Sequence, residues 1–202
     1  MRLVYLNSSG QLGGVENALL DLMSSLRSAE PNWLLHLIVP QNGPLVTRAR
    51  ALGVECLVLE FPVSLARLGD SSTSGPPGAQ TSSADVARKL LSTAPATLNY
   101  VRRLRKALKE LRPDAVHTHG LKMHVLGLWA RPTGVPVVWH LHDYLGSRPV
   151  MGRLLRLHGG RCAAAVANSR SVAADVRGVC GPGLKIHAVY NAVNLENSRL
   201  MA

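Results

Sequence analysis

Seven short apolar runs alternate with one-sided helical stripes, and this alternation constrains the chain more than any other feature. Leu3-Val4-Tyr5-Leu6 is the first run. Others follow at 32–39, 54–59, 114–118, 135–141, 162–167 and 184–189. After the first, Val15, Ala18, Leu19, Leu22, Met23 and Leu26 recur at helical spacing. Leu45, Ala49 and Leu52 line a short helix that starts near Pro44 and stops at Gly53. The segment 84–111 carries the stripe Leu98, Val101, Leu104, Leu108 and Leu111, and a break is expected near Pro95. Further helices are expected over 121–130, over 150–157, and after an Asn168-Ser169 cap. The pattern predicts an α/β fold: a doubly wound, mostly parallel sheet of about seven strands with helices on both faces. Right-handed crossovers would bring every strand's C-terminal end to one edge, where open α/β sheets bind ligands.

The unusual polar residues fall at those strand ends. Gly13, Gly14 and Glu16 follow the first strand, within Gly10-Gln11-Leu12-Gly13-Gly14-Val15-Glu16-Asn17. Glycines let backbone N–H groups approach a ligand, and a helix start favours an anion such as a phosphate. The spacing is not the G-x-G-x-x-G dinucleotide fingerprint, and a plain tight turn is the competing reading. His117 and His119 end the fourth strand; His140, His142 and Asp143 end the fifth. Asn168 and Ser169 follow the sixth, Asn191 and Asn194 the seventh. Residues i and i+2 of a strand share a face, so the histidine pairs can converge. Three readings stay open for them: polyol or phosphate binding, a structural role, or metal ligation. No metal is expected, because neither H-E-x-x-H nor a spaced Cys/His cluster occurs. No nucleophile elbow, Walker P-loop or strand-end carboxylate pair occurs either, which disfavours a hydrolase.

Composition narrows the partners. Hydrophobic residues make up 47% and charged residues 17% of the 202, as in a globular protein. One domain is expected over 1–190, interrupted by a loop at 69–84 that is poor in both charge and bulk. No apolar stretch reaches the ~18 residues of a spanning helix, and Arg2 leads into a strand rather than a signal segment, so a cytoplasmic location is expected. Cys56, Cys162 and Cys180 suggest bystander thiols rather than a disulfide framework. The formal net charge of +11 points to anionic partners. Arg102, Arg103, Arg105, Lys106 and Lys109 are candidates for contact with an acidic membrane surface, such as the inner face of the plasma membrane; a solvated helix face is the alternative. Nucleic acid is not expected, because aromatics are 4% and do not alternate with the basic residues.

Several pieces, in order, resemble the N-terminal domain of the retaining family-4 glycosyltransferases of GT-B architecture. They are Gly13-Gly14-Val15-Glu16, Gly43-Pro44-Leu45, Asp114-Ala115-Val116-His117-Thr118-His119, the segment Val135 to Asp143, Ala167-Asn168-Ser169 and Tyr190-Asn191-Ala192-Val193-Asn194. The resemblance implies a Rossmann-like, acceptor-side domain that works with a second, donor-binding domain. It implies a nucleotide-sugar donor, a saccharide or lipid-linked acceptor, and no cofactor or metal. His142 matches the histidine that contacts the sugar near the reacting carbon. Gly13 and Gly14 match glycines facing the donor phosphates, and His119 and Ser169 match cleft positions. Glu16, Asp143 and Asn191 are grouped with them as candidate substrate contacts. Residues 191–202 look like the start of the interdomain linker, and the donor-binding domain is expected to be missing from these residues, leaving them inactive alone. A non-catalytic module of the same fold, binding a sugar or phosphate, is the alternative; a metal-dependent hydrolase is a more distant one.

Overall fold

A computed structural model describes residues 1–66 and 83–191. Seven parallel strands form one sheet: β1 (Arg2–Leu6), β2 (Leu34–Val39), β3 (Glu55–Val58), β4 (Ala115–His119), β5 (Val137–Leu141), β6 (Ala164–Ala167) and β7 (Ile186–Ala188). Their order is β3-β2-β1-β4-β5-β6-β7. The chain builds outward from β1 to β3, then returns to β1's other side with β4. That reversal makes a topological switch point between β1 and β4, where the following turns part and leave a crevice.

The helices are α1 (Gly14–Ala29), α2 (Pro44–Ala51), α3 (Val63–Ala66), α4 (Ser83–Leu111), α5 (Leu121–Ala130), α6 (Pro149–His158) and α7 (Arg170–Cys180). Strand alternation divides the core in two. Leu3, Tyr5, Leu35, Leu37 and Val39 pack with Leu19, Leu20 and Met23 of α1 and Leu45, Val46 and Ala49 of α2. Val4, Leu6, Val116, Val137, Trp139, Leu141, Ala165 and Ala167 point the other way, onto buried residues of α4, α5, α6 and α7. Helices therefore cover both faces, as the alternation requires.

Two expectations are adjusted and one element is new. Five of the seven strands are shorter than their apolar runs: flanking residues such as Val54 and Leu59 are buried but lie outside β3, although the Leu59 N–H still donates to the Val39 carbonyl at 2.8 Å. α3 carries no sequence signal beyond Leu65. Pro95 does not break α4, which runs without interruption from Ser83 to Leu111. Pro95 lies on the exposed face, where water can satisfy the carbonyl it frees. Buried Tyr100, Val101, Leu104 and Leu108 then hold the helix to the sheet. The expected loop at 69–84 lies outside the described residues, except that α4 takes its last two positions. Beyond Asn191, the expected linker also lies outside them.

Candidate active site

The turn after β1 is built by backbone packing. Gly10 is buried, and a Cβ there would stand 2.1 Å from the Gln41 carbonyl oxygen; one on Gly43 would stand 2.3 Å from the Gly10 oxygen. The Leu45 N–H donates to that same Gly10 oxygen at 3.1 Å. The turns after β1 and β2 thus lock together only because neither glycine has a side chain. Gly13 and Gly14 differ: both are exposed, Gly13 caps α1 in extended backbone, and a Cβ on Gly14 would meet nothing within 4 Å. Gly14 offers an open helix N-terminus, the arrangement that suits an anion.

This separation predicts opposite outcomes. Gly10→Ala is expected to cost about 1–3 kcal/mol of stability, because two backbones must part. Gly14→Ala is expected to keep or slightly raise stability while weakening binding of a phosphate-bearing ligand. Urea titrations of both variants, with nucleotide titrations of the second, check the pair; equal destabilisation would refute the division.

Asn7, at the end of β1, is fully buried. Its amide donates to the Ser9 carbonyl at 2.7 Å and to Glu16 Oε1 at 3.0 Å, which fixes Glu16 over the turn. Sequence reasoning missed Asn7. The signal was a lone polar residue closing an apolar run.

The histidines converge beside it. Tyr5 is paired in register with His117, and His119 with His140, so the rings share the sheet face that carries Tyr5. Ring centroids lie 4.8 Å apart for His117–His119 and 5.3 Å for His117–His140. His119–His140 is 4.8 Å and His140–His142 is 4.3 Å. His119 and His140 are buried, whereas His117 and His142 are half-buried. Both ring nitrogens of His119 and His140, and Nε2 of His117 and of His142, are buried without a hydrogen-bond partner. The buried Tyr5 hydroxyl is also unpartnered.

Burial and mutual repulsion hold these imidazoles neutral. His117 is lowered to about 4, chiefly by burial and then by His142. His140 is lowered to about 3 by burial, His117 and His142. His119 lies well below the ordinary histidine value for the same reasons. His142 is lowered by burial too, but Asp143 and Glu16 oppose the shift. The Glu16 charge is thus felt at His142, beyond the end of β5. Neutral imidazoles donate and accept hydrogen bonds without charge, which suits sugar hydroxyls better than a cationic phosphate clamp. Ligand atoms of His117, His119 and His140 also lie within 4.8 Å of one another, a geometry open to a metal ion.

The other candidates divide. Asp143 is exposed, 3.8 Å from Arg148. Ser169 caps α7, its Oγ accepting from the Val172 N–H at 3.1 Å. Asn191 is exposed just beyond β7, and Asn194 lies outside the described residues. Asp175, unforeseen in the sequence, accepts from the Leu145 N–H at 2.5 Å and the Gly146 N–H at 3.2 Å. From α7 it pins the segment that follows His142 and Asp143. Its signal was a single acid between Arg170 and Arg177.

The basic residues are elsewhere. Arg102, Arg103, Arg105, Lys106 and Lys109 are all exposed on α4. That helix ends beside the start of β1, where Arg2 Nη1 donates to the Leu111 carbonyl at 2.7 Å. The C-terminal end of this basic face therefore lies toward the sheet edge opposite the histidines. Among the described residues, no helix is long and apolar enough to cross a membrane.

This sheet has the Rossmann-like fold of the GT-B glycosyltransferases. The model for Glycosyltransferase Family 4 matches residues 12–197, and the chain belongs to that family. Among solved structures, Anabaena Alr3699/HepE in complex with UDP is similar at 19% identity and a TM-score of 0.65, over 97% of this chain and 45% of that one. The lipopolysaccharide outer core galactosyltransferase WaaB, in its apo form, is similar at 14% identity and 0.65, over 96% and 46%. Acinetobacter baumannii MurG is similar at 12% identity and 0.55, over 96% and 47%. The chain spans just under half the length of these structures. A search of curated proteins finds no match.

Proposed function

We propose that this chain forms the acceptor-side half of a retaining glycosyltransferase that moves a hexosyl group from a nucleotide-sugar to a saccharide or lipid-linked acceptor. The observation that carries the reading is one rim at the β1/β4 switch point, where the open α1 N-terminus, Glu16 and His142 come together. Family membership and the UDP held by the similar HepE structure support it. In this reading the Gly14 end of α1 faces the charge that builds on the leaving phosphate, and its preorganised dipole lowers the barrier. His142, neutral and with a free Nε2, hydrogen-bonds the sugar beside the reacting carbon. His119 shapes the floor of the cleft, while Asp143, Ser169 and Asn191 border it. Transfer itself needs no metal or cofactor.

Donor and acceptor must be held together in near-attack geometry, so these residues alone are expected to transfer no sugar. The same residues followed by a donor-binding domain are expected to transfer it with retained anomeric configuration, read by NMR of the product. Transfer by the 202 residues alone, or inversion, would overturn the proposal. In the active two-domain protein, His142→Ala is expected to lower kcat/KM about a hundredfold, with most of the loss in kcat. A loss confined to KM would instead mark His142 as a uniform binding group.

We further propose a cytoplasmic, peripheral location, the basic face of α4 meeting an acidic membrane surface in carbohydrate biosynthesis. Co-sedimentation with acidic vesicles, reduced by charge reversal at Arg102, Arg105 and Lys109, is the expected result. Equal binding to neutral vesicles would count against it.

A further inference from the structure

We propose that His117, His119 and His140 form a binding site for a late first-row divalent ion such as Zn²⁺, lying beneath the proposed cleft, taking no part in the transfer itself and able to modulate it. The three rings form a nearly equilateral triangle, with centroids 4.8, 5.3 and 4.8 Å apart. Their ligand atoms lie within 4.8 Å of one another. Two adjacent strands deliver them: His117 and His119 stand two apart on β4, and β5 sets His140 opposite His119. Sheet hydrogen bonds fix that backbone, so the triangle is part of the scaffold rather than of a loop.

The side chains lack what they need. Five nitrogens of the triad are buried without a partner, including both on the fully buried His119. Each unpaired buried polar group is a liability that native structures seldom leave uncompensated. One cation satisfies a nitrogen on each ring at once. Tetrahedral zinc at about 2.0–2.1 Å from each nitrogen puts ligands about 3.4 Å apart, so the rings must draw inward by rotation, which side-chain torsions allow. An all-imidazole donor set, with no carboxylate among the three, selects Zn²⁺, Co²⁺, Ni²⁺ or Cu²⁺ over Mg²⁺ or Ca²⁺. Three protein ligands leave a fourth position for an exchangeable group. His117 and His142 are the half-buried members of the histidine cluster, nearest to solvent.

His142 stacks on His140 at 4.3 Å. An ion that turns His140 therefore shifts the surface on which His142 rests. The site is a lever on the rim and would exist whether or not the chain supports glycosyl transfer.

The test is Co²⁺ titration of the untagged protein at neutral pH, read by visible absorption. One equivalent is expected to give the intense bands of four-coordinate Co²⁺, which Zn²⁺ abolishes by displacement. His117→Asn and His140→Asn are each expected to weaken binding at least about tenfold. His187→Asn, on the exposed end of β7, is expected to leave it unchanged. His117 is half-buried, so its variant keeps the test valid should the His140 variant fold poorly. Absence of four-coordinate bands, or unchanged affinity in the His117 variant, would overturn the proposal.

Discussion

Lowering the pH from about 6.5 to about 4 is expected to remove several kcal/mol from the folding free energy. Four imidazoles, three buried and one half-buried, cause the loss. Folding lowers His117 to about 4 and His140 to about 3, with burial the leading cause for both. His119 and His124 fall well below the ordinary value, again mainly by burial. Between the unfolded and folded values the unfolded chain binds protons that the native state excludes. Stability is therefore intact above about pH 6.5 and declines as the pH falls toward the folded values, with each fully shifted histidine contributing about 1.4 kcal/mol per pH unit. Single domains hold only about 5–15 kcal/mol in all, so this loss is a large fraction of what keeps such a fold together. Urea titrations at a series of pH values read the slope directly. His119→Asn is expected to reduce it by about one proton, and a flat profile between neutral pH and pH 4 would contradict the account. His142 contributes less, because Asp143 and Glu16 offset part of its burial.

The same histidines mark the limit of what the sequence discloses. Their shared face was legible, because i and i+2 in a strand point the same way. The contact between His119 and His140 was not: it depends on the register of β4 against β5, which nonlocal hydrogen bonds set. Strand number, parallel direction and the position of α5 follow from periodicity. Strand order does not, since nothing in Leu3 to Leu6 announces that β4 rather than β3 lies beside β1. The sequence did not separate the roles of the glycines. Gly10 and Gly43 serve backbone packing, and Gly14 alone among these three glycines has open space at its Cβ position. Asn7 and Asp175 each leave only a faint signal, a single polar residue whose partners are fixed by the fold. Pro95 misleads because local preference yields to the apolar stripe of α4.

Trp139→Ala is expected to cost about 3–5 kcal/mol, the range for emptying a fully buried aromatic site. Trp139 lies in β5 with no exposure, on the face opposite His140. Its ring packs 5.6 Å from that of His124, and its Nε1–H donates to the His124 carbonyl at 3.2 Å. Thr118 Oγ1 meets His124 Nδ1 at 2.7 Å, so His124 of α5 is held by the Trp139 indole from β5 and by Thr118 from β4. Trp139→Phe keeps most of the apolar contact but loses the donor, and about 1–2 kcal/mol is expected. The larger change should also reach the other face of the sheet. His140 is the next residue, and β5 cannot tilt into a cavity at Trp139 without carrying that imidazole away from His119. A destabilisation below about 1 kcal/mol by urea titration would mean that α5 collapses onto β5 without penalty and that the histidine triangle does not depend on this side of the core.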